Sequence, residues 1–218
     1  MIPPRAVASH HVFLLSPARC DGARAKQLFN PLATFPLAVR LREPEGIELG
    51  EAFSFLSGLY FRGKLTYAEA FAGPQVSWPP VMIITTDRVL VSPRARVRLE
   101  DMLAFSTVDI GSGDPRFVEP LRRDALALDE QLEPEERVVL LGSIATGKYA
   151  DTLLSVFGER LVFPGDFVGR GDMSRGGLLL RCTDEGRELA YGPVATSVRH
   201  GARPPRLLPR RRSRPAVD

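Results

Sequence analysis

An α/β sandwich around a mostly parallel central sheet of four to five strands is the fold class this sequence predicts, and three observations predict it. Its strongest apolar runs are short and continuous, as in strands buried on both faces. They alternate with stretches whose apolar residues recur at helical spacing. The chain has 218 residues, 44% hydrophobic and 25% charged, which suits one domain with a substantial core. Helices covering such a sheet give a three-layer α/β/α arrangement. The expected organisation is an N-terminal extension over 1–10, a single α/β domain over 11–198, and a disordered Arg/Pro-rich tail over 199–218.

The elements follow in order. Residues 11–15 (HVFLL) read as the first strand, and 16–22 (SPARCDG) as the loop after it. A helix is expected over 23–30 with Asp21 as N-cap, and a short one over 37–41, ended by Pro44 and Gly46. The stretch 52–57 (AFSFLS) reads as a second strand, and 60–72 as an amphipathic helix closed by Gly73 and Pro74. Residues 81–85 (VMIIT) give the clearest strand, being apolar and β-branched. A short helix is expected over 99–105. The loop 111–115 (GSGDP) starts a helix that runs to about Leu132, with apolar residues at 117, 118, 121, 125, 128 and 132. Residues 137–141 and 160–163 complete the core strands, with a helix over 148–157 between them. Residues 177–182 read as helix and 187–194 as an edge strand.

Charge is unevenly distributed. The chain carries 29 basic and 26 acidic residues, a net +3. Seven arginines and one acid lie in 199–218, so this tail contributes +6 and the other 198 residues about −3. The folded part is therefore not a basic nucleic-acid-binding surface, although the cluster 210–214 (RRRSR) suits non-specific contact with nucleic acid. Cys20 and Cys182 are too few for a disulfide framework or a zinc site, and His10, His11 and His200 lie at the two ends. No metal site and no cofactor is expected. No run reaches the roughly 20 apolar residues that span a bilayer, and no signal-peptide core is present, so a cytoplasmic protein without membrane association is expected.

In open α/β sheets, ligands bind beyond the carboxyl ends of the strands. Here those ends are rich in donors and small residues: Ser16, Arg19, Cys20 and Asp21; Ser57, Tyr60, Arg62 and Lys64; Thr85 to Arg88; Gly142, Ser143, Lys148 and Tyr149; then Arg170, Asp172, Ser174 and Arg175. Arginine forks, hydroxyls and helix N-termini suit a phosphate or nucleotide-like anion. The turn 142–149 (GSIATGKY) has the G-x-x-x-x-G-K spacing of a phosphate loop, but Tyr149 stands where a magnesium-binding Ser or Thr belongs. A strand-to-helix turn that packs Tyr149 inward is the simpler reading. The segment 165–177 holds five glycines, which let a backbone approach a ligand closely. In it Asp172 is either a base or a helix cap. With no histidine in the body of the chain, a Cys–His or Ser–His–Asp nucleophile is not expected, and Asp21 or Asp172 would be the general base of any reaction.

Three stretches carry a family resemblance: 12–17 (VFLLSP), 56–67 (LSGLYFRGKLTY), and 138–142 (VVLLG) with Lys148, Tyr149 and the turn 164–177. On these the chain resembles a bacterial α/β family similar to the small domains found with 7-deazaguanine nucleic-acid modification, including a domain of archaeosine synthases. More distantly, its layout resembles the uracil-DNA glycosylase superfamily. That likeness implies a three-layer fold, with a water-positioning polar loop after the first strand, where Asp21 stands. It also implies a histidine-containing loop after the last strand; residues 165–174 occupy that place and contain no histidine.

These readings lead to a nucleotide- or nucleic-acid-linked domain that binds a phosphate-bearing ligand. Arg62, Arg170 and Arg175 are its expected anion contacts, assisted by Lys148 and the turn at Gly142. Two alternatives stand beside it: a non-catalytic interaction or scaffold protein, and a hydrolase or transferase acting on a small phosphorylated metabolite.

Overall fold

A computed structural model describes residues 11–73, 78–108 and 113–207. The extension over 1–10 and the arginine cluster over 210–214 lie outside the described residues, as do Gly111 and Ser112 of the expected loop.

The elements run β1 His11–Leu15, α1 Ala23–Leu28, α2 Pro36–Arg42, β2 Ile47–Glu48, α3 Leu49–Ser57, α4 Leu59–Phe71, β3 Val81–Ile84, β4 Leu90–Val91 and β5 Arg96–Val97. They continue with α5 Leu99–Phe105, α6 Pro115–Asp129, β6 Arg137–Leu141, α7 Ala150–Phe157, β7 Leu161–Pro164, α8 Asp172–Asp184 and β8 Tyr191–Pro193. The fold is an α/β sandwich. Its main sheet has six strands in the order β4-β3-β1-β6-β7-β8. The central pairs β3–β1, β1–β6 and β6–β7 are parallel, while β4 and β8 close the edges antiparallel. A separate antiparallel pair joins β2 to β5.

The central strands are apolar because both their faces are covered: every residue of β1, β3 and β7 is buried, and in β6 only Arg137 is exposed. On the sheet, α4 packs against β1 and β3 and against α8, while α6 packs against α7 and α7 against β7. Tyr67 of α4 ties the helix layer to the sheet edge. Its hydroxyl accepts from Leu189 N at 2.7 Å and lies 2.7 Å from the Tyr191 hydroxyl, which donates to Glu188 at 2.8 Å.

The stretch 52–57 is not a strand but most of α3. Its apparent alternation of phenylalanines hides a helical period: beside Gly50, the buried apolar side chains are Leu49, Ala52, Phe53 and Leu56, spaced three and four apart, while Phe55 is only half-buried. Gly58, at φ +62°, ends α3 and lets α4 begin at once. The six-stranded sheet keeps the four expected core strands and the edge strand expected over 187–194, seen as β8, and adds the short edge β4. Asp21 does not cap α1. The cap position is Gly22, and the Asp21 carboxylate is taken by Arg19.

Helices α4 and α8 approach through glycines. A Cβ on Gly63 would stand 2.7 Å from Gly176 O, and one on Gly176 would stand 2.6 Å from Leu59 O. Any larger side chain would push the helices apart.

Over its described part, 199–207, the tail lies on the body. Arg199 pairs with Asp151 at 2.6 Å, Arg170 donates to Pro205 O at 3.3 Å, and Leu207 packs against the core. Gly169, at φ +72°, has Ala202 O 2.1 Å from where its Cβ would be, so a glycine is needed where the tail crosses the loop before α8.

Candidate functional site

The chain runs from β1 outward to β3 and β4, then returns to the other side of β1 as β6 and continues to β7 and β8. The carboxyl ends of β1 and β6 are therefore where the winding direction reverses, the place where ligands bind in open sheets of this kind. The residues just past those ends are Ser16 and Gly142.

Ser16 N donates to Leu141 O at 3.1 Å, which carries the strand pairing one residue beyond the sheet. A Cβ on Gly142 would meet Ser16 Cβ at 2.9 Å and the Tyr149 hydroxyl at 2.7 Å, so the glycine is what lets these two loops touch. Tyr149 folds back under its own turn, and its hydroxyl accepts from Ser143 N at 3.0 Å. That contact occupies an amide a phosphate loop would offer to its ligand, and Asp151 crowds Gly147 with a carboxylate. The turn is thus a packed strand-to-helix connection.

Lys64 reaches the same point from α4. It is 1% exposed, and its Nζ donates to Ser16 O at 2.5 Å and to Ser16 Oγ at 2.8 Å. The ammonium lies 4.6 Å from the centre of the Tyr60 ring and 4.9 Å from that of Phe61. Burial brings the Lys64 pKa down to about 7; Asp172 opposes this and Arg175 adds to it. The Tyr60 hydroxyl is buried and has no hydrogen-bond partner. Burial raises its pKa far above the usual phenol range, and the Arg175 guanidinium, close by but outside hydrogen-bond geometry, partly offsets this. Burial likewise raises Tyr149.

Arg175 projects from the first turns of α8. Its Nε and Nη2 donate to Phe167 O at 3.1 and 3.0 Å, its guanidinium lies 5.4 Å from the Phe167 ring centre, and Nη1 is 3.9 Å from the Asp172 carboxylate. Asp172 is the first residue of α8, after the cap Gly171, and is largely exposed. Ser16, Tyr60, Gly142, Tyr149, Asp172 and Arg175 are thus brought to one site around Lys64.

The other expected residues lie elsewhere. Arg170 braces its own loop, donating to Asp166 O at 2.9 Å and to Ser174 Oγ at 3.3 Å. Arg19 and Asp21 pair with each other in the open, which holds the Asp21 carboxyl below the usual range. Asp21 and Cys20 border a shallow hollow with Lys26, Asn30 and Ser106. Burial, then the Asp21 charge, pushes the Cys20 thiol up to about 12, so it is not a thiolate nucleophile. Arg62 is exposed. It follows Tyr60 by two residues, about 200° of helical turn, and so lies across α4 from the site. Lys148 is exposed in the loop before α7, and Ser57 is half-buried at the end of α3.

Lys64 is the residue that reading by strand ends undervalues. The signal for it is helical register: it shares the buried face of α4 with Tyr60, Phe61, Tyr67 and Ala68, a cation at a core position.

Among the described residues no group of three or more His, Cys, Asp or Glu side chains could hold a metal ion, and no helix is long and apolar enough to cross a membrane. No protein-family model, curated protein or solved structure matches the chain.

Proposed function

We propose that the site at the ends of β1 and β6 binds a phosphate-bearing ligand of the nucleotide class. The observation that carries this reading is the Tyr60 hydroxyl, buried without a partner beside Arg175 and Lys64 at the switch point. A buried unsatisfied hydroxyl costs about 1–3 kcal/mol, which an acceptor oxygen of a ligand would relieve. The charged groups around it are Lys64 and Arg175 against one exposed carboxylate, Asp172, and Arg175 keeps Nη1 free of the bonds that hold its other nitrogens to Phe167 O. Such a surplus of donors matches phosphate oxygens. Nucleotides are the first class to test because the three motif stretches resemble domains linked to nucleic-acid modification.

Calorimetric titration with inorganic phosphate and nucleoside monophosphates tests the proposal. Binding should weaken roughly 10- to 100-fold in Arg175→Ala, as expected for loss of a charge-assisted hydrogen bond, and several-fold in Tyr60→Phe. Arg62→Ala, across the helix, should leave affinity unchanged. Absence of binding to the wild type, or equal affinities in all variants, sinks the reading.

A further inference from the structure

We propose that Ser16 is the nucleophile of a serine–lysine pair, with Lys64 as its general base, and that the site cleaves a carboxylic ester by acyl transfer. The proposal shares its location with the phosphate reading but stands on Ser16 and Lys64 rather than on Arg175. Three observations carry it.

The first is geometry. Ser16 Oγ and Lys64 Nζ are 2.8 Å apart, within reach for proton transfer. The same Nζ is held on Ser16 O at 2.5 Å, which fixes its direction. A neutral amine has two N–H bonds and one lone pair, so it can donate to the carbonyl while accepting from the hydroxyl.

The second is the absence of competitors. His11 begins β1, five residues and roughly 16 Å along the strand from Ser16. Cys20 keeps its proton. Lys64 is the basic group in contact with the serine.

The third is a donor for the developing oxyanion. The Tyr60 hydroxyl, on the buried face of α4 one turn before Lys64, has no hydrogen-bond partner in the resting protein. Donors left free until the transition state are the ones that accelerate a reaction. Both members of the pair are buried, Ser16 at 7% and Lys64 at 1% exposure.

The chemistry balances. Ser16 Oγ attacks the ester carbon as its proton passes to Lys64 Nζ, and the carbonyl electrons move onto oxygen. Collapse of that oxyanion breaks the bond to the leaving alcohol, which takes the proton from Lys64. Water then loses a proton to Lys64 and attacks the acyl-serine; Oγ leaves and regains that proton. Ester and water become acid and alcohol.

The groups that face the amine are Tyr60 on its own helix, Tyr149 from the turn before α7, and Asp172 and Arg175 from α8; β3 offers only valine, methionine and isoleucine. Reactivity of Ser16 should therefore follow the neutral form of Lys64 and rise with pH through about 7.

The full-length protein is incubated with an alkyl fluorophosphonate, and the adduct is located by peptide mass mapping. One adduct is expected, on Ser16, forming faster as pH rises through 7. Ser16→Ala should take up none. Lys64→Met and Lys64→Arg should both label about 100-fold more slowly, the arginine because it keeps the charge but cannot accept a proton. Hydrolysis of p-nitrophenyl butyrate should fall in parallel. No adduct on wild-type Ser16, a pH-independent rate, or wild-type labelling of Lys64→Arg overturns the proposal; the wild-type mapping decides it even where a Lys64 variant fails to fold. Ser16 labelling in a wild-type protein that binds no phosphate upholds this proposal and removes the phosphate reading alone. Phosphate binding without Ser16 labelling removes this one alone.

Discussion

The unfolding free energy of the protein is expected to rise as pH is raised from 7 to about 9, and Lys64→Met is expected to abolish that rise. In the unfolded chain Lys64 titrates near its ordinary 10.5, whereas burial holds it at about 7 in the folded protein. Between those values the unfolded state binds the extra proton. Stability therefore increases with pH across that window, and below pH 7 the cost of burying the cation is felt in full. At about 1.4 kcal/mol per pH unit, the two units from 7 to 9 correspond to roughly 2–3 kcal/mol. Above pH 9 the trend reverses. Cys20, ordinarily at 9.0, is pushed up to about 12, and Tyr60, Tyr67, Tyr149 and Tyr191 are all raised above 10.0. There the unfolded chain loses protons that the folded protein keeps, and stability falls. Urea denaturation at a series of pH values gives both curves. Equal slopes for wild type and Lys64→Met between pH 7 and 9 would mean that the amine is not held as described.

Gly176→Val should be strongly destabilising, costing about 3 kcal/mol or more, the upper end of what overpacking costs. The atoms a Cβ would meet are Leu59 O at 2.6 Å, Leu59 C at 2.8 Å and Tyr60 Cα at 2.8 Å, all backbone of α4 and unable to rotate away. The helices must separate. Valine adds a helix-compatible side chain, but the propensity gain over glycine is under about 1 kcal/mol and does not offset the clash. Gly165→Ala, at an exposed position where nothing lies within 4 Å, is the control and should change stability by less than about 0.5 kcal/mol. The same substitution reaches the site, because α4 carries Tyr60 and Lys64 and α8 carries Asp172 and Arg175. A Gly176→Val protein that remains folded should bind phosphate more weakly than wild type. Thermal melts and phosphate titration of the two variants check both statements, and a melting temperature for Gly176→Val equal to that of the control would refute them.

How much of the molecule can be read from its sequence differs between sheet and site. The strands β1, β3, β6 and β7 are legible because burial on both faces demands unbroken apolar runs, and α6 is legible because burial on one side demands a stripe at helical spacing. The segment now seen as α3 was ambiguous: six residues with apolar side chains at both spacings satisfy either period, and only packing against α1 and α4 selects the helix. That choice also relocated Arg62, since a residue expected near a strand end instead follows the rotation of α4.

The arginines divide for a related reason. A guanidinium has the same donors whether they serve an anion or a backbone carbonyl, and composition cannot tell Arg170, spent on Asp166 O, Ser174 and Pro205 O, from Arg175, whose Nη1 makes no bond to Phe167 O and faces Asp172 instead. Local order in the chain was enough to determine the α/β class, the four parallel core strands and most of the helices between them, α3 excepted, because burial writes its period into neighbouring residues. The meeting of Ser16 with Lys64, 48 positions apart, and the approach of Arg175 and Tyr149 to the same point were decided only by tertiary structure. Such contacts depend on strand order and on the glycine-limited spacing of two helices, and neither leaves a periodic trace along the chain.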